Sequence, residues 1–212
     1  MRARTIGVVV AMPFVLLATA CGSQQPAAFH PAGASLAAPS STASATSSGP
    51  VPFPGKVSFT FDPLPADPTQ AAVVTTDRDF LLAYYYAIYT RGQSTGYTSY
   101  INDSGVLRSV TNAVDEHVNA KQGFVGVDRH FDTTVTPTQY YPGEENVNYC
   151  VDEAGLQYTN IVTGKVLGNS DAPGQMYYLE SDTFAKNSHG SWQLVGILTT
   201  PYPTGQAREC KP

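Results

Sequence analysis

Gly123 divides this chain into two hydrophobic rhythms, and no other feature narrows the fold as much. Before it, apolar residues recur every three or four positions, the spacing of one helix face. After it they recur every second position, the spacing of a strand. Residues 67–91 read as a helix, with Asp67 as N-cap and Pro68 in the first turn. Ala71, Val74, Leu81, Tyr85, Ile88 and Tyr89 make its stripe, Phe80, Leu82, Tyr84 and Tyr86 widen it, and Gly92 ends it. A connector over 96–102 leads to a second helix, 104–122, striped by Leu107, Val110, Val114 and Val118, with Gly123 where a C-terminal glycine belongs.

In the second rhythm, Val125, Val127, Phe131 and Val135 fall on one strand face and Asp128, His130 and Asp132 on the other. A strand over 146–151 follows, then an Asp152-Glu153-Ala154-Gly155 turn, and 156–162 pairs back. Thr163-Gly164 is a further turn and 168–174 a polar loop. A hairpin of 176–186 and 191–199 closes around Asn187-Ser188-His189-Gly190. Helices first and short-turned strands after predict an α+β domain with an antiparallel sheet.

The N-terminus reads as an address. Arg2 and Arg4 precede fifteen uncharged residues, 6–20. As a helix these would reach roughly 22 Å, short of the ~30 Å bilayer core, and Pro13 weakens the span further. The run ends Leu17-Ala18-Thr19-Ala20-Cys21-Gly22, which resembles a bacterial lipobox, although Ala18 stands where leucine is preferred. The expectation is a signal peptide, 1–20, cut before Cys21, whose thiol carries diacylglycerol with palmitate-like chains. The protein is then a lipoprotein on the outer, extracytoplasmic face of a bacterial cell membrane. The alternative is an ordinary signal cut near residues 18–20 that leaves Cys21 a free thiol. Ala, Ser, Pro and Gly supply 25 of the 35 residues in 22–56, too little apolar area to offset chain entropy. Residues 21–56 therefore read as the lipidated cysteine and a disordered linker with a reach of roughly 30–35 Å, and 57–212 as one domain.

Without residues 1–20 the chain keeps ten basic residues against seventeen acidic ones, a net charge of −7. That argues against nucleic acid as a partner, because phosphate binding needs clustered Lys and Arg. Of three cysteines, lipid on Cys21 leaves Cys150 and Cys210. A pair in an oxidising compartment reads as a disulfide; two free buried thiols are the alternative.

Several short motifs carry a resemblance. Gln122-Gly123-Phe124 leaves the helices, Tyr149-Cys150-Val151-Asp152 sits on a strand, Thr163-Gly164-Lys165 follows, then Gly190-Ser191-Trp192-Gln193-Leu194 and Cys210. Together they resemble small secreted or lipid-anchored actinobacterial proteins, uncharacterised in the main. Their cone-shaped α+β fold is that of nuclear transport factor 2 and ketosteroid isomerase, also called cystatin-like. The resemblance covers roughly 65–210. It implies N-terminal helices packed on a curved antiparallel sheet, and the Cys150–Cys210 pairing. It implies no activity, since such folds host enzymes, binders and assembly modules alike.

Candidate chemistry is sparse. Asp128, His130 and Asp132 alternate on one strand face, where they could form a His–Asp base pair or an incomplete metal shell. The plainer reading makes that face the wet side of a half-buried strand. Asp152 could be a base, or could cap its own turn. Tyr85 and Tyr89 are candidates to line the cone. Neither a P-loop nor a dinucleotide glycine motif nor a paired C-x-x-C occurs, and no cofactor and no metal is expected. The leading expectation is a non-enzymatic module that contacts another envelope protein or the cell wall. A small-molecule binder using the cone is the alternative, and an isomerase- or dehydratase-like enzyme the less favoured third reading.

Overall fold

The computed structural model describes residues 51–53, 56–138, 142–169 and 176–210. The expected signal peptide, Cys21, most of the expected linker and all but the start of the expected 168–174 loop lie outside them. Strand β1 (Val51–Pro52) and strand β2 (Lys56–Thr60) precede helix α1 (Pro68–Tyr89) and helix α2 (Ser104–Asn119). Then come β3 (Gln122–Pro137), β4 (Glu144–Asp152), β5 (Leu156–Asn160), β6 (Val166–Gly168), β7 (Tyr177–Lys186) and β8 (Trp192–Pro201). A 3₁₀ turn, Gly96–Tyr100, joins the helices, and another, Gly205–Glu209, leads to Cys210. This is the expected α+β plan.

The helix ends follow local chemistry. The Asp67 carboxylate accepts the Thr69 and Gln70 N–H groups, and Asp103 does the same for Gly105 and Val106. Each cap satisfies two of the donors a helix N-terminus leaves open. Gly92, at φ 77°, stops α1 as expected. Gly123 does not stop α2. That helix ends at Asn119, Lys121 takes the left-handed conformation at φ 56°, and Gly123 already belongs to β3. Its glycine answers a close approach instead, because a Cβ there would collide with the Ile161 side chain.

The described strands form one sheet, in the order β1-β2-β3-β4-β7-β8, with β5 against β3 and β6 against β5. Two pairings depart from expectation. β2, in a stretch with no assigned element, pairs with β3 in parallel (Val57 with Gly126, Phe59 with Asp128), so the sheet is not wholly antiparallel. With β1 it also draws the end of the expected linker into the sheet. Nor does β5 fold back on β4. Both run antiparallel to β3, β4 along 129–137 and β5 along 122–126. Residues 153–155 are thus a kink in one long partner strand, not a hairpin. Gly126, at φ 116°, lets the kink close: Val127 N–H donates to the Gly155 carbonyl at 3.1 Å, and a Cβ on residue 126 would strike that oxygen.

α1 lies across the concave sheet. Val73, Val74, Ala87, Ile88, Val147, Val151, Phe184 and Leu194 are almost wholly buried in the main core. A second cluster packs Phe59 and Val57 of β2 against Tyr85 and Leu156. On the convex side Cys150 and Cys210 form a disulfide, Cα–Cα 5.1 Å, packed with Phe131 and Leu179. The pairing is the one expected. No described helix is long and apolar enough to cross a membrane.

Candidate functional site

The helix and the concave sheet do not close completely, and the space between them is lined by acids and phenols. β3 sets its floor. Its register reverses the expected faces: Asp128 is 1% exposed and His130 5%, while Val127 is 44% exposed. A cover and a register shift explain the reversal. Phe131 is buried on the convex side because the disulfide and Leu179 cap it there. A register shift between Phe131 and Thr134, with Asp132 at φ 56°, then changes the phase, so Val135 packs inward and Asp132 points out. Asp128 and His130 are therefore not on a wet face, and Asp132 does not share their side. The three do not converge, and no metal-binding cluster occurs among the described residues.

Three polar groupings result. On β3, Asp128 Oδ2 accepts from the Tyr85 hydroxyl of α1 at 2.8 Å, and Asp128 Oδ1 stands 3.1 Å from His130 Nε2. The His130 ring sits against Phe61 and Tyr149, with centroids 5.1 and 5.2 Å away. On β7, Asp182 Oδ2 accepts from the Tyr149 hydroxyl at 3.1 Å, and the buried Asp77 carboxyl of α1 stands near it. Toward the rim, Thr199 donates to Glu180 at 2.7 Å and Tyr178 to Glu153 at 2.8 Å.

Burial dominates the electrostatics. It pushes the Asp77 carboxyl up to about 7 and Glu180 up to about 8, and holds Asp182 well above the usual range, where the nearby Asp77 raises it further. Burial likewise raises the Tyr85, Tyr149 and Tyr178 phenols, and neighbouring carboxylates add to it. At neutral pH the site thus holds carboxyl groups that still carry protons beside phenols that never lose theirs.

The cavity above these groups measures about 430 Å³. Its walls are apolar and aromatic (Phe80, Tyr84, Val110, Phe124, Tyr158), and Ser109, Ile197 and Thr199 stand exposed at its rim. Tyr85 reaches it; Tyr89 does not. Tyr89 is 48% exposed and borders an outer groove of about 570 Å³ with Phe53, Arg91 and Ile161. Asp152 caps its turn, accepting Ala154 N–H at 3.0 Å and standing 3.9 Å from Arg129.

Sequence reasoning misses Asp77, Tyr149, Glu153, Tyr178, Glu180 and Asp182. A signal is present: Tyr178, Glu180, Asp182 and Phe184 alternate on β7, and Asp77 continues the Val73–Phe80 stripe of α1. The chain also contains Gly92-Gln93-Ser94-Thr95-Gly96, which spells G-x-S-x-G. It joins α1 to a 3₁₀ turn and Ser94 Oγ faces Gly96 N–H, so it is no strand-to-helix nucleophile elbow.

No family model matches this chain, and no curated protein does. Solved structures do. A ketosteroid isomerase-like protein from Erwinia carotovora atroseptica is 16% identical, with a TM-score of 0.40 over 63% of this chain and 96% of that one. Aln2 from a Streptomyces species is 13% identical, TM-score 0.42, over 65% and 93%. The intermembrane space region of the chloroplast protein ARC6 is 9% identical, TM-score 0.40, over 60% and 95%. Similarity at this level carries no activity across.

Proposed function

We propose that this domain binds a small molecule in the cone, gripping an apolar body between aromatic walls and a polar end on the carboxyl and phenol floor. One observation carries the proposal: about 430 Å³ of space lies directly over Asp128, His130, Tyr149 and Asp182. A few converging polar groups beneath an apolar wall, in that size range, are the usual makeup of a ligand pocket. A fragment screen by ligand-observed NMR on the full chain tests it. Hits should be lost in Val110→Trp, whose indole fills the cavity. Hits that survive that substitution, or no hits at all, would overturn the proposal.

A second reading, acid–base catalysis, is favoured by the contrast between Asp128, held by Tyr85 beside His130, and the Glu180 and Asp182 carboxyls, whose hold on a proton burial raises. A proton acceptor and a proton donor then face one cavity. Deuterium exchange next to the carbonyl of a cyclic ketone, measured in D₂O, should be faster with the protein and slow in Asp128→Asn. Equal exchange in both would remove this reading.

The address is part of the same proposal: an acyl chain on Cys21 holds the domain to the outer face of a bacterial membrane, within reach of an envelope protein. The mass of the mature N-terminus tests it, and an unmodified Cys21 would contradict it.

A further inference from the structure

The cavity is charged on one side only. Four carboxyls line it, Asp128, Glu153, Glu180 and Asp182, and neither Lys nor Arg is among its described lining residues. A fifth carboxyl, Asp77, stands behind Asp182. Burying a carboxylate is costly unless a counter-charge or donors meet it, and the fold meets these incompletely. Asp77 Oδ1, Asp128 Oδ1 and Asp182 Oδ1 accept no N–H or O–H hydrogen bond, although their residues are 5%, 1% and 2% exposed. His130 is the one basic side chain among the described residues lining the cavity, and its Nε2 lies near Asp128 without a hydrogen bond; Arg78, which acts on Asp77, does not line the cavity and donates to the Asp62 carbonyl. Above the acids stand the rings of Tyr84, Phe124 and Tyr158, and aromatic faces attract cations.

Building on the cavity reading, we propose that the ligand is an organic ammonium ion: a cationic nitrogen set among Asp128, Glu180 and Asp182, and an apolar body against the rings. Asp77, Asp128 and Asp182, each with a buried oxygen that accepts no hydrogen bond, form with Glu180 an anion trap that no Lys or Arg among the described cavity-lining residues offsets. Protons otherwise fill that role, which is why Glu180 and Asp77 keep theirs up to about 8 and about 7. A bound ammonium replaces them. The carboxyl O–H bond breaks, the proton leaves for the buffer, and the resulting carboxylate pairs with the cation. The groups that set this exchange are Asp77 of α1, Asp128 and His130 of β3, Tyr149 of β4, Glu153 of the kink, and Tyr178, Glu180 and Asp182 of β7, with Thr199 of β8 bonded to Glu180.

Calorimetry on the full chain with three probes of one shape tests this: 2-naphthylmethylammonium, 2-naphthylmethanol and 2-naphthoate. The ammonium should bind at least about tenfold more tightly than the alcohol, as one lost carboxylate contact is worth about a decade. It should release protons, read as a heat that differs between phosphate and Tris buffers, and bind more tightly as pH rises from about 6 to about 8.5. Glu180→Gln and Asp182→Asn should bring ammonium and alcohol together. Alcohol or naphthoate binding as well as the ammonium would overturn the cation inference and leave the cavity reading standing. Binding of none of the three would remove both.

Discussion

Replacing Asp77 by Asn should stabilise this domain at neutral pH and leave it unchanged in acid. The Asp77 carboxyl is 5% exposed, and burial lifts it from 3.8 to about 7 in the folded state. Between those values the folded chain keeps a proton that the unfolded chain has released. Stability therefore falls as pH rises through the window from about 4 to about 7, and below it the group contributes no slope. About three pH units at roughly 1.4 kcal/mol each give about 4 kcal/mol for the carboxyl ionising alone. Because Asp182 lies near and its carboxyl is raised as well, part of that cost passes to the partner, and the expected gain at pH 8 is about 2–4 kcal/mol. Asparagine keeps the shape, and its amide N–H₂ can donate to Asp182. Urea unfolding of both chains at pH 4, 6 and 8, with the disulfide intact, reads the effect. The curves should coincide within about 1 kcal/mol at pH 4 and separate steadily above it. Parallel pH profiles would refute the account of Asp77 as a buried carboxyl that holds its proton to about 7.

Three further substitutions probe the frame. Cys210→Ser opens a loop spanning 60 residues and should cost about 4 kcal/mol in the chain-entropy account, measured as a lower denaturant midpoint. Gly126→Ala must hold φ near 116° and push against the Gly155 carbonyl; a loss of at least about 2 kcal/mol is expected, and an unchanged midpoint would argue against the kink between β4 and β5. Tyr149→Phe removes the donor to Asp182 and should cost about 1–3 kcal/mol, seen as a lower melting temperature at pH 7.

The helices are legible in the sequence because their signals are local. Asp67-Pro68 and the apolar spacing place α1 to within two residues at its C-terminal end, and Gly92 marks its stop. The strands are legible as segments, and their pairing is not. Nothing within 152–155 distinguishes a hairpin from a kink, because the difference lies in what Gly126 allows on the neighbouring strand. The same limit hides the site. Hydrophobes at alternate positions usually mark the inner face, but Phe131 is buried from outside by a cystine whose second half arrives 60 residues after the first. The inner face is left to Asp128 and His130. Asp77 and Asp182 interrupt apolar stripes in α1 and β7, a sign of buried polar function that sequence spacing does show. Their meeting across the cone depends on tertiary structure.

A crystal structure of the full chain soaked with its strongest-binding fragment tests the central claim most directly. The account predicts density inside the cone, its apolar part against Phe124 and Tyr158 and its polar end within hydrogen-bond distance of Asp128, Glu180 or Asp182. A fragment seated in the outer groove beside Tyr89, with the cone empty or collapsed onto its own side chains, would contradict it.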